Sequence, residues 1–228
     1  MPPSFHTVGI QVPTVLLPRA DVDLQRWAVV ACDQYTSQPE YWDKVRAFVG
    51  EAPSTLHCML PEVYLETDQE EPLTRSINTT MRTYLDENIL HERAPGFVRV
   101  DRRTPHVDSR KGLLAALDLE QYDFHKGANT LIRASEATIL ERLPPRVRVR
   151  QDAPLELPHI MVLIDDPERT VIEPLFDKDL TPLYDFDLMM ESGHVTGALV
   201  DRPADQQAVA DSLARLADPA HFNAKYGL

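Results

Sequence analysis

Two short apolar runs constrain the fold of this chain more than any other feature. Residues 27–32 read WAVVAC, and residues 159–164 read HIMVLI. Runs of this length, rich in valine and isoleucine and followed by polar turn residues, are typical of buried β-strands. The first ends at an Asp-Gln-Tyr segment and the second at Asp-Asp-Pro. Both runs therefore predict strands inside a covered sheet.

Helical periodicity predicts the elements that cover this sheet. Ser37 is an expected N-cap, with Glu40 at the capping-box spacing and Pro39 in the first turn, and the helix should end at Gly50. Residues 71–92 carry apolar side chains every three or four positions, which indicates a longer helix. We expect further helices over residues 135–143, where Pro144-Pro145 should end the helix, and over residues 204–217.

The remaining strands follow from alternation and from short apolar runs. Val147 and Val149 alternate with arginines, which predicts a strand with one apolar and one basic face. Other predicted strands cover residues 97–100, 112–119, 170–172, 183–189 and 195–200. The sequence thus predicts an α+β fold, a mixed sheet with helices packed around it. In the absence of repeats or linkers, residues 1–228 are predicted to form a single unit.

Composition restricts the partners. The formal net charge of −13 argues against non-specific binding to nucleic acid or to an anionic membrane surface. No signal peptide precedes the apolar runs, and no window approaches the ~18 apolar residues of a membrane span, so we expect a cytoplasmic protein without a membrane partner. Cys32 and Cys58 are predicted to be buried free thiols.

Residues 122–150 form a basic island in this acidic chain. The island contains only two glutamates but six basic residues: Lys126, Arg133, Arg142, Arg146, Arg148 and Arg150. Guanidinium groups match phosphate and carboxylate oxygens two at a time, so one interpretation is an anion site with Glu136 placed among the arginines. The alternative is a surface connection in which the arginines pair with Glu141, Asp152 and Glu156.

A second polar cluster follows the first apolar run. Asp33, Gln34 and Tyr35 precede the helix predicted to begin near Ser37, and the amide groups at a helix start favour anions. The alternative is that Asp33 only organises a turn. Residues 165–168 (DDPE) offer carboxylates for Mg²⁺, although such runs are more often solvated turns, and no metal site is predicted. The common nucleotide-binding and hydrolase motifs do not occur.

Three strings carry a resemblance to a known family: DLQRWAVVACDQYTSQPEYW, STLHCMLPEVYLE, and the run from KGANTLIRASEATILERLPPRVRVR to IEPL. They resemble the domain of unknown function 1015 family over nearly the whole chain. Members of that family read RATEGT where this chain has Ala137 in place of the glycine. They also continue past a KYGL-like segment into a GDGNH-type motif. The resemblance therefore predicts the N-terminal half of a longer protein, with a fold incomplete at its C-terminus.

The resemblance also implies a function. The GDGNH-type motif is similar to the nucleotide-contacting motif of the ParB/sulfiredoxin-like superfamily, which includes free-serine kinases. It implies a phosphotransferase of small molecules in which Glu136 or Asp33 accepts the proton of the attacking hydroxyl group.

In that interpretation Arg133, Arg142 and Arg146 hold phosphate oxygens, while Lys126, Gln34, Tyr35 and Thr138 border the ligand. The ligand would be ATP, ADP or pyrophosphate, accompanied by Mg²⁺. This half alone would be inactive, and its uncovered sheet would favour self-association. The alternative is a non-catalytic binding or regulatory module for a nucleotide or an acidic metabolite.

Overall fold

The structure is a computed structural model that describes residues 6–123, 125, 130, 132–133 and 139–217. Within these residues the α-helices are α1 (Leu24–Trp27), α2 (Pro39–Val49), α3 (Glu70–Asp86), α4 (Leu143–Arg150) and α5 (Pro203–Leu216). The strands are β1 (Ile10–Gln11), β2 (Leu16–Pro18), β3 (Leu90–Glu92), β4 (Phe97–Thr104), β5 (Val107–Leu114), β6 (Ala116–Leu117), β7 (Tyr122–Asp123), β8 (Ile132–Arg133), β9 (Thr181–Asp187) and β10 (His194–Val200). The α+β class is confirmed.

The largest sheet is antiparallel, with strand order β5-β4-β10-β9. The turn from β4 to β5 is closed by Thr104, whose hydroxyl oxygen accepts the N–H groups of His106 and Val107. The turn from β9 to β10 ends at Gly193, which has a φ of 107°. A Cβ there would lie 1.9 Å from the Arg103 carbonyl oxygen, so only glycine fits this position.

Helix α5 covers one face of this sheet. Alternate residues of β4 and β10, among them Phe97, Ala198 and Val200, point to the same face and are buried. They share a core with Val209 of α5 and with Leu175 of the 3₁₀ helix Glu173–Asp177. Val209, Leu213 and Leu216 recur at helical spacing, as the sequence predicts, so they lie on the face of α5 that packs against this core.

A second core joins α2 and α3. Trp42, Val45 and Val49 of α2 pack with Ile77 and Met81 of α3, and all five are buried. The 3₁₀ helix Thr55–Cys58 completes this core. The predicted end of α2 is confirmed, since Gly50 is its C-cap. The predicted N-cap is wrong, because Gln38 occupies that position and no side chain caps the helix.

The two apolar runs that predicted buried strands form none. Helix α1 ends at Trp27, and residues 28–31 have no regular secondary structure. The Thr55 hydroxyl group takes the place of a neighbouring strand here: its oxygen accepts the Val29 N–H at 3.2 Å and its proton is donated to the Trp27 carbonyl at 2.8 Å. A side chain thus satisfies the backbone that a β-ladder would otherwise pair.

Residues 159–164 also lack a strand, and residues 160–164 are all exposed. In the described part of the chain these five residues form no backbone hydrogen bond. The strand predicted at residues 170–172 is absent as well, because Asp166 accepts the N–H groups of Thr170 and Val171 and bends the chain there.

The strand predicted at Val147 and Val149 is a helix, α4. Pro144 and Pro145 were expected to end a helix, but they lie in the first turn of this one, where a missing N–H group leaves no hydrogen bond unmade. Val149 is buried in the core formed by α2 and α3, whereas Val147 is exposed. The predicted helix over residues 135–143 lies largely outside the described residues.

Candidate functional site

The loop that follows residues 28–31 adopts a constrained conformation. The Cys32 carbonyl oxygen accepts the Glu62 N–H at 2.8 Å, and the Tyr35 carbonyl oxygen accepts the Gln38 N–H at 3.0 Å. Tyr35 has a φ of 53°, which is uncommon for a residue with a side chain. Positions of this kind cluster at ligand sites, where the surrounding structure holds them in place.

Two tyrosine rings stack at this loop. The centroids of the Tyr35 and Tyr41 rings lie 3.9 Å apart, with an angle of 18° between the planes. Tyr35 is 41 % exposed, so its ring contributes a flat aromatic surface that solvent can reach. Burial raises the pKa of Tyr41, and the neighbouring Tyr35 raises it further. An exposed aromatic ring of this type can stack against the planar ring of a ligand, largely independently of which ring it is.

An ion pair between Glu62 and Arg146 lies beside the same loop. Glu62 belongs to the 3₁₀ helix Glu62–Tyr64 and Arg146 to α4, and one guanidinium N–H donates to the Glu62 Oε1. The Glu62 side chain is only 6 % exposed, whereas that of Arg146 is 45 % exposed. The carboxylate therefore holds one edge of the guanidinium group, and solvent reaches the rest of it.

The electrostatics connect this pair with the loop. The hydrogen bond that Arg146 donates to Glu62 raises the pKa of Arg146, burial opposes this, and the negative charge of Glu62, followed by Cys32 and Asp33, raises it further. Burial raises the pKa of the Cys32 thiol, Asp33 and Glu62 add to the increase, and Arg146 counteracts it. The charge of Asp33 thus acts on Arg146, whereas the convergence of these two residues on one ligand stays a prediction.

The other arginines of α4 also meet glutamates. Arg148 donates to Glu70 of α3, and Arg150 donates to Glu156 and to the Pro158 carbonyl. The pairing of Arg150 with Glu156 agrees with the alternative of a surface network. Charge neutralisation within the protein therefore accounts for Arg148 and Arg150. Arg146 also pairs with a glutamate, and the charge of Asp33 acts on it in addition.

The structure describes the side chains of only some of the predicted site residues. Asp33, Gln34 and Tyr35 lie in one loop, where the Gln34 amide donates to Asp33 at 3.2 Å. Arg133 ends the short strand β8 and Arg142 ends the 3₁₀ helix Leu140–Arg142, but only their backbones are described. The predicted residues Lys126, Glu136 and Thr138 lie outside the described residues. Their roles stay predictions.

Sequence reasoning missed Glu62. It lies within the string STLHCMLPEVYLE, yet an isolated glutamate after a proline has the pattern of a solvated surface residue. Its burial results from tertiary packing of the Glu62–Tyr64 turn between the loop at Cys32 and α4. A periodic pattern cannot reveal such a residue, because a single 3₁₀ turn is too short to show one.

The described residues form neither a cluster of metal ligands nor a membrane-spanning helix. No group of three or more His, Cys, Asp and Glu side chains is placed to hold a metal ion in that part of the chain. Likewise, none of the described helices has both the length and the apolar character needed to cross a membrane. Cys32 and Cys58 are free thiols, as predicted, but only Cys58 is buried, whereas Cys32 is half-buried. Burial raises the pKa of Cys58 to about 12.

Comparison with known proteins places the chain in a family. A family model described as "Protein of unknown function (DUF1015)" matches residues 16–220, which is most of the chain. The chain belongs to the DUF1015 family. No curated protein and no solved structure matches this DUF1015 protein. Its candidate function therefore has to be argued from the residues themselves.

Proposed function

We propose that this DUF1015 protein binds a phosphate-bearing small molecule, a nucleotide or pyrophosphate, at the surface formed by the loop at residues 32–38 and by Arg146. The observation that carries the proposal is that Glu62 joins the loop to Arg146: its N–H donates to the Cys32 carbonyl oxygen, and its carboxylate accepts from the guanidinium group. Tyr35 of the same loop has a positive φ and stacks on Tyr41. These features supply the three parts that such a ligand needs: a cation for phosphate, a flat surface for a planar ring and a carboxylate for a hydroxyl group.

Glu62 gives Arg146 its role in this proposal. A guanidinium group has five N–H donors in one plane, and the Glu62 Oε1 occupies only one edge. The nearly buried carboxylate fixes the orientation of the group, so that less side-chain entropy is lost when an anion binds to the exposed edge. Glu62 is therefore a positioning residue rather than a competitor of the ligand.

The reaction that fits this arrangement is phosphoryl transfer to a small hydroxyl compound, such as free serine. Asp33 would accept the hydroxyl proton, and Arg146 would stabilise the charge that develops on the phosphate oxygens. Arg133, Arg142, Lys126, Thr138 and Glu136 complete the predicted site. Mg²⁺ would arrive with the nucleotide phosphates, which are its usual ligands in such reactions.

Isothermal titration calorimetry with ATP, ADP and pyrophosphate tests the binding step. Arg146→Gln should weaken binding by at least about tenfold, since it removes a charge-assisted hydrogen bond. Arg148→Gln is the matched control, because Arg148 lies on the same helix and also pairs with a glutamate. Equal affinities of the parent and the Arg146→Gln variant would contradict the proposal.

A turnover assay then separates an enzyme from a binding module. The proposal departs here from the expectation that this half alone is inactive: incubation of the protein with ATP, Mg²⁺ and free serine should yield phosphoserine and ADP. Asp33→Asn should abolish this transfer while leaving ATP affinity within about threefold. Binding without any transfer, in the parent as well as in the variant, would support the non-catalytic module instead.

A further inference from the structure

A cavity that is separate from the site proposed above lies between α5 and residues 169–178. It has a volume of about 360 Å³, within the range of small-molecule sites. Its apolar floor consists of Val171, Leu175 and Val209, each at most 3 % exposed. All of its lining residues are described, and none of them belongs to the site proposed above.

The rim of this cavity is cationic. Arg169, Lys178 and Arg215 line it, against the single carboxylate of Asp205. That carboxylate is already neutralised, since it accepts the Arg202 Nε at 2.8 Å and lies 3.4 Å from the Lys178 Nζ. Within the described residues, neither Arg169 nor Arg215 forms an ion pair with a carboxylate; Arg215 donates to the Ser212 hydroxyl oxygen at 2.8 Å.

The loop that presents Arg169 is held in shape. The Asp166 carboxylate accepts the N–H groups of Thr170 at 2.6 Å and of Val171 at 2.8 Å. Arg169 itself has a φ of 57°, a conformation in which a side chain is strained. This acidic run, considered for metal binding from the sequence, thus organises the backbone that places a guanidinium at the cavity.

From these observations we infer that the cavity is a binding site for a small oxyanion, a carboxylate or a phosphate ester, that carries a short apolar group. In a protein with a net charge of −13, two arginines that have no carboxylate partner among the described residues favour an anion beside this cavity. The apolar side chains of Val171, Leu175 and Val209 in the lining favour a short apolar group next to the charged group.

Three probes test both requirements with the full-length protein: hexyl phosphate, hexanoate and the neutral hexanol. Titration followed by NMR should show that one or both anions shift the methyl signals of Val171 and Val209, and that hexanol binds at least about tenfold more weakly. Whether hexyl phosphate or hexanoate binds more tightly identifies the charged group. Equal binding of hexanol and both anions would overturn the inference.

Two variants locate the effect. Arg169→Gln combined with Arg215→Gln should weaken anion binding at least about tenfold without unfolding the protein, since both residues are exposed. Ala208→Phe should block the cavity, whereas Ala214→Phe, on the same helix but outside the lining, should not. Arg146→Gln should leave this binding unchanged, which separates it from the first site. Unchanged affinity in both cavity variants would refute the site.

Discussion

Glu62 and Arg146, 84 residues apart in the sequence, form an ion pair in which only the arginine reaches solvent to a large extent. The pair joins the Glu62–Tyr64 turn to α4, and it lies beside the loop that carries Asp33. It therefore links a structural role, the attachment of α4, with the proposed role in anion binding.

Loss of the arginine should be costly because a nearly buried carboxylate then loses its guanidinium partner. We expect Arg146→Gln to lower the free energy of unfolding by about 1–3 kcal/mol. The exposed pair of Arg75 and Glu71 is the control, and Arg75→Gln should cost less than about 0.5 kcal/mol. Urea unfolding with unchanged m-values measures both. Adding Glu62→Gln to Arg146→Gln should restore part of the loss.

Alkaline pH should destabilise the fold. Burial raises the pKa of Cys58 and of Tyr184 to about 12 each, so the folded state keeps protons that the unfolded state releases above about pH 9. Stability that is fully present at neutral pH is then lost progressively as the pH rises toward the folded-state pKa values. Urea midpoints between about pH 7 and pH 11 should fall, and Tyr184→Phe should reduce the slope above about pH 10. Midpoints that stay constant would be inconsistent with burial of these groups.

The pairing of Gly197 with Tyr184 should tolerate no side chain. The two residues are register partners between β10 and β9, and a Cβ on Gly197 would lie 2.2 Å from the Tyr184 ring. We expect Gly197→Ala to lower the free energy of unfolding by about 1–3 kcal/mol through overpacking. Gly112→Ala is the matched control in the same sheet, since no atom lies within 4 Å of its added Cβ. Equal losses for both variants would show that the close packing is not as described.

Exposed apolar residues in the segment 160–164 should promote self-association. Met161 is 76 % exposed and Leu163 is 83 % exposed, and an extended apolar segment of this kind readily pairs with another chain. The double substitution Met161→Lys and Leu163→Lys should shift sedimentation profiles toward the monomer. Leu119→Lys, at a leucine that is 72 % exposed elsewhere, should not have this effect. If the parent protein sediments as a monomer at all concentrations, the prediction is wrong.

Elements with clear periodicity could be predicted from the sequence. Helices α2, α3 and α5 were expected from apolar residues at helical spacing, because each has a stripe that faces a core. The predicted helix over residues 71–92 was too long, since α3 ends at Asp86 and Leu90–Glu92 form β3. Parts of β4, β9 and β10 were expected from short apolar runs. The strands predicted for WAVVAC and HIMVLI were wrong. Local composition indicates a preference for burial and an extended backbone, whereas a β-strand also needs a hydrogen-bonded partner strand. Thr55 supplies hydrogen bonds to the first run instead.

The candidate site was only partly predictable for a related reason. Asp33, Tyr35 and Arg146 were expected to border it from residue type and position. Asp33 and Tyr35 lie in one loop, which Glu62 joins to Arg146, and their shared role stays a prediction. The strand predicted around Arg146 was wrong. Alternating valines and arginines fit a strand, but they also fit a short helix that has two prolines in its first turn. The contact with Glu62 depends on tertiary packing, and no local pattern encodes it.

The reactivity of Cys32 tests the proposed site most directly, because its half-buried thiol lies in the electrostatic field of Asp33, Glu62 and Arg146. The rate of alkylation by iodoacetamide reports the thiolate fraction, and labelled peptides distinguish Cys32 from the buried Cys58. Pyrophosphate bound at Arg146 should slow the reaction of Cys32 in the parent and in Arg148→Gln, since added negative charge disfavours the thiolate. It should have no effect in Arg146→Gln. A rate in the parent that stays constant at every pyrophosphate concentration would contradict anion binding at this loop.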